Sequence, residues 1–444
     1  MRTFRLFSVV FLLLVCFVSS AQDTLRLEKV IVVSRHGLRA PLEKYYNDLE
    51  SLTSEGASWD QWSNKGVKGS ELTPKGAALE TIFGEYFRLW FNKIGFQLQA
   101  NEVYFGASSK QRTIATSRSF AAGMLPLMMV PIHYKQADNG GYGPLDENYL
   151  PLFYGQGPKE GIVFDTIAFQ KEACREIRRL IEKNTPSYGF LEDVLQYSRS
   201  LRAGKLGSDH FNNDIQVQLC FYELEENKSN KKLEPTMCGD LNVANRASDA
   251  LILMYYEFPG FLQANFKREF SFDDMCRLAS IKDLYGKILF TAPIIAVNVS
   301  HCMLKNIYSE MNCNWHKFTF LCTHDSMIQS LLAALRVEEY ELDSTIEKET
   351  PIGFKFLLEE WVNPNTCERY IKTRLLYQST KQIQEMQVLD LNNPPKSFDL
   401  SFDGLEKVGY EGNRMYRYDD FMSHLQKTLN AYKVTAQGDN PFAE

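Results

Sequence analysis

The stretch VIVVSRHGLRAP at residues 30–41 joins an apolar run to two arginines and a histidine. Its uninterrupted apolar residues predict a strand at 28–34 that is buried on both faces. Arg35, His36 and Arg39 follow at once, and burying cations is costly unless an anion pairs with them. The stretch therefore predicts an interior strand whose carboxyl end carries an anion-binding site.

The rest of the chain supplies a sheet around this strand. A helix is expected at 72–95, with Thr73 as its N-cap and Pro74 in its first turn. Strands that alternate with helices indicate an α/β fold, in which a Rossmann-like sheet domain is flanked by helices. The further strand-like runs are residues 102–107, 317–323, 353–361 and 371–378.

Charged amphipathic stretches dominate residues 160–290 and contain few strand signals, so we expect a mainly helical cap subdomain inserted into the α/β unit. A chain of 444 residues is long enough for such a division. We expect a signal peptide at 1–21, the first part of the α/β domain at 22–150, the cap at 151–290 and the second part of the α/β domain at 291–444.

Composition argues against a nucleic-acid partner. The net charge is −6 and the basic residues are scattered, whereas binding to phosphate backbones requires clustered Lys and Arg. A phosphomonoester small enough for a pocket is the partner we expect. Monomer and homodimer both remain open.

The N-terminus has the pattern of a secretory signal. Arg2 and Arg5 precede an apolar run from residue 6 to 18, and small residues end at Ala21, after which cleavage is expected. The run is shorter than the roughly 20 residues that a membrane span needs, and no later segment is apolar enough to span. We therefore expect a secreted protein, periplasmic where the cell has a periplasm.

Removal of that signal leaves eight cysteines, an even number that favours disulfides in an oxidising compartment. Cys302 with Cys313 and Cys220 with Cys238 are the expected pairs, because each would close a short polar loop. Cys322 lies in an apolar strand and is expected to be a free core thiol.

Three polar clusters each follow a predicted strand and begin a predicted helix. They are RHGLRAP at 35–41, KQRTIATSRS at 110–119 and CTHDSMI at 322–328. Ligands of open α/β sheets bind outside the carboxyl ends of the strands. The three segments are therefore expected to converge on one pocket.

The residue types in these clusters suit phosphoryl transfer. Arg35, Arg39 and Arg112 offer forked donors for a phosphate, and His324 adds a further donor. His36 can act as a covalent nucleophile, and Asp325 can protonate the leaving oxygen. Neither a CxxC pair nor an HExxH motif is present, so we expect no metal and no cofactor.

These motifs resemble those of the histidine acid phosphatase family, RHGxRxP with a downstream HD. The segments at 72–76, 111–123, 350–356 and 375–379 are similar to those of bacterial periplasmic glucose-1-phosphatases. The resemblance implies an α/β domain with a helical cap and a phosphohistidine intermediate without a metal. It gives His36 as nucleophile, Asp325 as proton donor, and Arg35, Arg39, Arg112 and His324 as the phosphate pocket.

One position departs from that resemblance. A glucose-1-phosphatase has Asn after the motif histidine, whereas this chain has Gly37, as phytase-type members do. The loops expected over the site, 42–71 and 135–149, hold about as many acidic as basic residues, which favours a sugar monophosphate over phytate. The prominent acidic residues there are Glu43, Asp48, Asp60, Asp138 and Asp146.

Three alternatives remain open from the residues. The substrate could be phytate or another inositol polyphosphate. The chain could instead be a phosphate- or sugar-binding module without turnover, or a phosphomutase, because related folds also use phosphohistidine.

Overall fold

The architecture was examined in a computed structural model of the chain. It describes residues 25–52, 62, 66–138, 143–144, 146, 148–152, 162, 164–184, 187–195, 215–218, 235–410 and 413–442. The predicted signal peptide at 1–21 lies outside these residues.

The fold is built on a nine-stranded mixed sheet with the order β10-β11-β8-β7-β1-β6-β2-β3, in which β9 pairs with β8. Strands β4 and β5 form a separate two-stranded sheet. The strands are β1 Arg26–Arg35, β2 Val103–Ala107, β3 Ile132–His133, β4 Ile215–Gln218, β5 Thr236–Gly239, β6 Phe318–Thr323, β7 Lys355–Val362, β8 Arg369–Tyr377, β9 Lys396–Asp399, β10 Val408–Tyr410 and β11 Asn413–Arg417.

Twelve α-helices lie within the described part of the chain. They are α1 Glu43–Leu52, α2 Pro74–Ile94, α3 Gln111–Met124, α4 Thr166–Lys183, α5 Gly189–Val194, α6 Asp240–Glu257, α7 Pro259–Phe266, α8 Phe272–Phe290, α9 Pro293–Asn312, α10 Asp325–Ala334, α11 Thr380–Gln384 and α12 Tyr418–Ala436. The predicted start of α2 is confirmed, because Thr73 caps it by accepting the Gly76 N–H.

Strand β1 is buried on both faces, as its apolar run predicts. Ile31 and Val33 pack with residues of α9, α10 and α12, whereas Val30 and Val32 pack with residues of α2 and α3 on the other face. Successive side chains of a strand point to opposite faces. The sheet is therefore covered by helices on both sides, and β1 lies in the middle of the protein.

The predicted α/β fold with a helical cap is confirmed. Helices α4 to α8 share one apolar core, which includes Phe169, Leu251 and Leu278. The cap also contains the short β4–β5 pair, although residues 160–290 show few strand signals. The domain boundaries at 150 and 290 stay a prediction.

The five predicted strands are all present, but they do not all run the same way. β1, β6, β2 and β3 are parallel neighbours, whereas β7 and β8 are antiparallel to their partners. Only a short turn joins β7 to β8, which forces a hairpin because a parallel pair needs a long crossover.

The predicted Cys302–Cys313 disulfide is wrong. Both residues are free thiols, because the supposed loop is a helix: Cys302 lies within α9 and Cys313 directly follows it. About three helical turns therefore separate them, whereas a disulfide needs Cα atoms within about 7 Å. Cys322 is buried and free, as predicted. The Cys220–Cys238 pair lies outside what the structure describes, because Cys220 is not among the described residues.

Among the described helices, no single one is long and apolar enough to cross a membrane. The pair α8 and α9 passes that test together, with a bend of 86° between the two helices.

Candidate active site

The three polar clusters meet at one edge of the sheet. β1, β6 and β2 are adjacent and parallel, so their carboxyl ends lie side by side. The His36 N–H donates to the Thr323 carbonyl at 3.0 Å, and the Ser108 N–H donates to the Cys322 carbonyl at 3.1 Å. These two bonds continue the strand register and fix the start of each cluster relative to the others.

His36 is buried and held in one tautomer. Its Nδ1 lies 3.0 Å from the Gly37 carbonyl oxygen, and a carbonyl only accepts, so Nδ1 carries the proton. The lone pair is then on Nε2. Burial, followed by the charges of Arg112, Arg39 and Arg35, holds the pKa of His36 well below its ordinary 6.5. The imidazole is therefore neutral, which is the form in which a histidine can act as a nucleophile.

Asp325 begins α10 and faces two cations. Its Oδ2 lies 3.0 Å from Arg35 Nη2 and 3.5 Å from Lys282 Nζ. Burial alone would raise the pKa of Asp325, but Arg35 and Lys282 outweigh it and hold the pKa well below 3.8. A phosphate dianion bound among these cations would oppose their effect and raise that pKa.

Arg35 is fully buried and anchored on its far side. Its Nη1 pairs with Glu347 at 2.8 Å and donates to the Thr350 carbonyl. Glu347 also pairs with Lys282, so one carboxylate serves two cations. Burial would raise the pKa of Glu347, but Arg35 and Lys282 lower it to about 2. The pair fixes Arg35 beneath Asp325 and limits how far it can move toward a ligand.

Arg39 is anchored in the same way. Its Nη2 lies 3.1 Å from Asp249 of the cap, and its Nη1 donates to the Ala40 carbonyl. Within the described residues, the buried Nε atoms of Arg35 and Arg39 have no hydrogen-bond partner. Buried donors are nearly always paired, so these groups suit an anion that enters the pocket.

His324 contacts Arg112 rather than standing alone. Arg112 Nη2 lies 3.1 Å from His324 Nδ1, and a guanidinium only donates, so the proton of His324 is on Nε2. That Nε2 donates to Ser108 Oγ at 3.0 Å. Burial, and then Arg112, hold the pKa of His324 well below 6.5. His324 therefore accepts from Arg112 and holds its guanidinium in place.

These groups surround a cavity of about 810 Å³ between the sheet edge and the cap. His36, Arg39, Arg112, His324 and Asp325 line it, whereas fully buried Arg35 lies behind it. The cap supplies Asn245, Arg246, Asp249 and Lys282 to the wall. All six predicted residues are thus in one place, and five of them line the cavity.

Sequence reasoning missed the buried charges that hold the site together. Glu347, Asp249 and Lys282 carry no recognisable motif, and their partners are distant in the chain. Lys355 could have been found, because a cation in the apolar run at 353–361 requires a buried anion. That anion is Glu80 of α2, at 2.9 Å.

Glu80 also explains the glycine that follows His36. A Cβ at Gly37 would lie 2.9 Å from Glu80 Cγ and 3.2 Å from Leu72 Cδ1. Glu80 cannot move freely, because it pairs with buried Lys355. The packing beneath the site therefore requires glycine at position 37 in this chain.

Within the described part of the chain, the residues at this cavity do not form a group of three metal-ligating side chains. Glu310, Cys313 and His316 form such a group. They lie at the opposite end of β6.

The sequence and the fold were compared with known proteins. The sequence model for the histidine phosphatase superfamily (branch 2) matches residues 26–375. A glucose-1-phosphatase from Providencia rettgeri is 31% identical over 423 residues, which cover 92% of this chain and 93% of that protein. Phytase AppA from Escherichia coli is 24% identical over 89% of this chain and 90% of its own.

Solved structures share the fold. The phytase from Citrobacter braakii superposes with a TM-score of 0.75 at 21% identity, covering 93% of this chain and 99% of that one. The apo form of the Hafnia alvei phytase gives a TM-score of 0.73, also at 21% identity, over 91% of this chain and 97% of that one.

Proposed function

Because the chain belongs to the histidine phosphatase superfamily (branch 2), we propose that it hydrolyses sugar phosphates such as glucose 1-phosphate. It is a histidine acid phosphatase, which is a phosphoric monoester hydrolase. The proposed intermediate is a phosphohistidine at His36. The observation that carries the assignment is the Nδ1 contact of His36 to the Gly37 carbonyl. It leaves the Nε2 lone pair available at a cavity lined by Arg39 and Arg112.

Substrate binding is the first step. The phosphate enters beside Arg39 and Arg112, with Arg35 behind them, and meets the unpaired Nε donors of Arg35 and Arg39. Arginine forks suit phosphate oxygens, and fixed donors stabilise the charge that spreads over them in the transition state. The anchors Glu347 and Asp249 keep the arginines in place before substrate arrives.

Phosphoryl transfer follows. Nε2 of neutral His36 attacks phosphorus, the N–P bond forms, and the bond from phosphorus to the ester oxygen breaks. The leaving oxygen takes a proton from the carboxyl group of Asp325. This step requires protonated Asp325, which the bound phosphate dianion favours by offsetting Arg35 and Lys282.

Hydrolysis completes the cycle. Asp325, now a carboxylate, accepts a proton from water as the water oxygen attacks phosphorus. The N–P bond breaks, inorganic phosphate forms, and His36 returns to its neutral form with Asp325 protonated. Asp325 and His36 thus return to their starting protonation states, so the cycle consumes only the substrate and water.

Phytate is the second candidate substrate, because the cavity carries cations beyond those needed for one phosphate. Lys44, Lys110, Arg246 and Lys282 line it, against Glu43, Asp249 and Asp283. Among the acidic residues of the loops at 42–71 and 135–149, Glu43 lines this cavity, whereas Asp146 is buried and lines a different cavity. The nearly balanced lining, with Asp249 and Lys282 already paired to each other, favours a substrate with one phosphate.

The test compares kcat/KM for glucose 1-phosphate and phytate in the same buffer. p-Nitrophenyl phosphate serves as a reference substrate, because it carries neither a sugar nor an inositol ring. A higher value for glucose 1-phosphate supports the proposal, and a higher value for phytate replaces it with the second candidate. Release of free phosphate separates hydrolysis from mutase activity. Absence of turnover on all three substrates would instead support a binding module.

Secretion through the segment at 1–21 is part of the proposal. Expression of the full chain in a Gram-negative host, followed by fractionation, should recover phosphatase activity in the periplasm with a mature N-terminus after Ala21. Activity confined to the cytoplasmic fraction would overturn it. Monomer or homodimer stays a prediction, and sedimentation of the same material decides between them.

A further inference from the structure

A second cluster of reactive side chains lies at the other end of β6. Glu310 is in the last turn of α9, Cys313 follows that helix, and His316 comes just before β6. One ligand atom from each lies within 4.8 Å of the others. β6 separates this cluster, which we call the α9–β6 triad, from Asp325 by roughly 20 Å. The phosphatase reaction makes no use of it.

The distances within the triad match those of a tetrahedral zinc site. His316 Nδ1 lies 2.9 Å from Glu310 Oε2 and 3.7 Å from Cys313 Sγ. With zinc bonds of about 2.0–2.3 Å, ligands of a tetrahedral site lie about 3.4 Å apart for nitrogen and oxygen and about 3.6 Å apart for nitrogen and sulfur. For the two pairs that include His316, shifts of about half an ångström would therefore suffice, and the ligand atoms of Glu310 and Cys313 lie within 4.8 Å of each other.

Neighbouring groups hold the ligands in position. Thr319 Oγ1 donates to Glu310 Oε2 at 2.6 Å. The ring of His316 stacks on Tyr104 with centroids 5.3 Å apart, and His133 stacks on the opposite face of Tyr104 at 5.0 Å. Hydrogen bonds and contacts of this kind orient metal ligands. The stack restricts the plane of the imidazole, and in that plane Nδ1 faces Glu310 and Cys313.

The charges around the triad suit a dication with two anionic ligands. A carboxylate and a thiolate together balance a 2+ ion. Lys29 is the nearby cation, and its Nζ donates to the carbonyls of Glu310 and Met311 at the end of α9. Those carbonyls, at the negative end of the helix, offset the repulsion between Lys29 and a metal ion.

The triad is accessible and has room for a further ligand. The side chains of His316 and Glu310 are 26% and 16% exposed. Glu310 also lines a cavity of about 330 Å³ with Tyr104, His133 and Asn306. Three protein ligands beside an open cavity leave a fourth position for water or a small anion.

We propose that Glu310, Cys313 and His316 bind a divalent ion of the zinc class, which joins the end of α9 to the start of β6. The ligand types select zinc over magnesium or calcium, because thiolate and imidazole are poor ligands for hard cations. The spacing E-x-x-C-x-x-H matches neither CxxC nor HExxH, which is why motif inspection passed over it.

The test titrates the untagged, reduced protein with Co²⁺, whose bond to a thiolate gives a near-ultraviolet charge-transfer band and whose tetrahedral form gives strong visible bands. One equivalent should produce both signals, and Zn²⁺ should displace Co²⁺. Cys313→Ser should remove the charge-transfer band, and His316→Ala should weaken binding by more than about tenfold. Phosphatase activity on p-nitrophenyl phosphate should be unchanged in Cys313→Ser.

Two matched controls separate ligation from packing. Cys367→Ser removes an exposed free thiol outside the triad, and His424→Ala removes a histidine that contacts the Leu335 carbonyl. Both should bind Co²⁺ as the parent does. Loss of the band in Cys367→Ser, or a band that survives in Cys313→Ser, would overturn the proposal, as would absence of Co²⁺ binding by the parent.

A second measurement uses the parent chain alone, so that folding of a variant does not matter. Zn²⁺ should slow alkylation of Cys313 by iodoacetamide, followed by peptide mass spectrometry, by more than about tenfold and leave Cys367 unaffected. Equal alkylation of Cys313 with and without Zn²⁺ would contradict the site.

Discussion

Arg35 Nη2 lies 3.0 Å from Asp325 Oδ2, so the carboxyl group that we assign as proton donor rests against a buried cation. The contact joins the ends of two neighbouring parallel strands, β1 and β6. It lowers the pKa of Asp325 in the resting site, and a substrate phosphate reverses that effect because it brings negative charge to the same guanidinium. We therefore expect the proposed donor to take up its proton when substrate binds.

Replacing the nucleophile tests the first assignment. His36→Ala should lower kcat by more than about 10⁴-fold for alkyl and aryl phosphates alike, because the covalent step has no substitute. Stopped reactions of the parent with ³²P-labelled substrate should yield acid-labile label on the peptide that contains His36. His424→Ala, a histidine that contacts Leu335 far from the cavity, is the control. Substantial turnover by His36→Ala would refute the assignment.

Replacing the proton donor should divide substrates by their leaving groups. Asp325→Asn should lower kcat on glucose 1-phosphate by about 10²–10⁴-fold, the usual contribution of a general acid. On p-nitrophenyl phosphate the loss should be much smaller, since the nitrophenolate leaves without a proton. Equal losses on the two substrates would show that Asp325 acts in some other way.

Lys282 should set the pH range of the reaction. Lys282→Met removes a cation that lowers the pKa of Asp325, so the pKa rises and Asp325 stays protonated to higher pH. The alkaline limb of the kcat profile on glucose 1-phosphate should move to higher pH. Lys44→Met changes an exposed lysine of the same cavity and should leave the limb in place. A limb that stays or moves to lower pH in Lys282→Met would contradict the role of Asp325.

Glu347 should make the free energy of unfolding depend on pH. Its folded pKa of about 2 lies below its ordinary 4.5, so its contribution is present above about pH 4.5 and is lost as pH falls toward 2. The difference corresponds to about 3 kcal/mol. Urea unfolding of Glu347→Gln should show lower stability at neutral pH and a flatter decline between pH 4.5 and 2. Glu339→Gln, at an exposed carboxylate, should follow the parent, and an identical slope in Glu347→Gln would argue against the linkage.

Gly37 should tolerate no side chain while Glu80 stays paired with Lys355. Gly37→Ala places a Cβ within about 3 Å of Glu80 and should cost about 1–3 kcal/mol of unfolding free energy, as overpacking does. kcat should also fall, because the change displaces the backbone beside His36. Gly189→Ala is the control, since a Cβ there meets nothing within 4 Å. Parent-like stability and activity in Gly37→Ala would show that Glu80 yields easily.

Local sequence was enough to assign the candidate catalytic groups to one pocket. The apolar run at 30–33 could only be an interior strand, and the clusters after 107 and 323 follow strands of the same kind. Parallel strands end at one edge of a sheet, so residues from three distant segments could be assigned to one pocket. The start of α2 was equally local, because Thr73 and Pro74 cap it within a single turn.

Distant charge pairing was not predictable in this way. Lys282 and Glu347 lie on segments with no motif, and only folding brings both against Arg35. The same limit applies to the cysteines. The sequence predicts a polar loop between Cys302 and Cys313, whereas α9 extends to Asn312 and keeps the two thiols apart.

The sequence by itself determined the candidate reacting groups, the strands that carry them and the edge at which they meet, because strand periodicity and helix capping depend on neighbouring residues. Tertiary structure alone decided the state of those groups. The tautomer of His324, the charge balance of Arg35 and the close packing against Gly37 all depend on contacts between remote segments. Because these contacts are buried, the electrostatic interactions between the charged groups are stronger than they would be in water, and there is no room for an added atom.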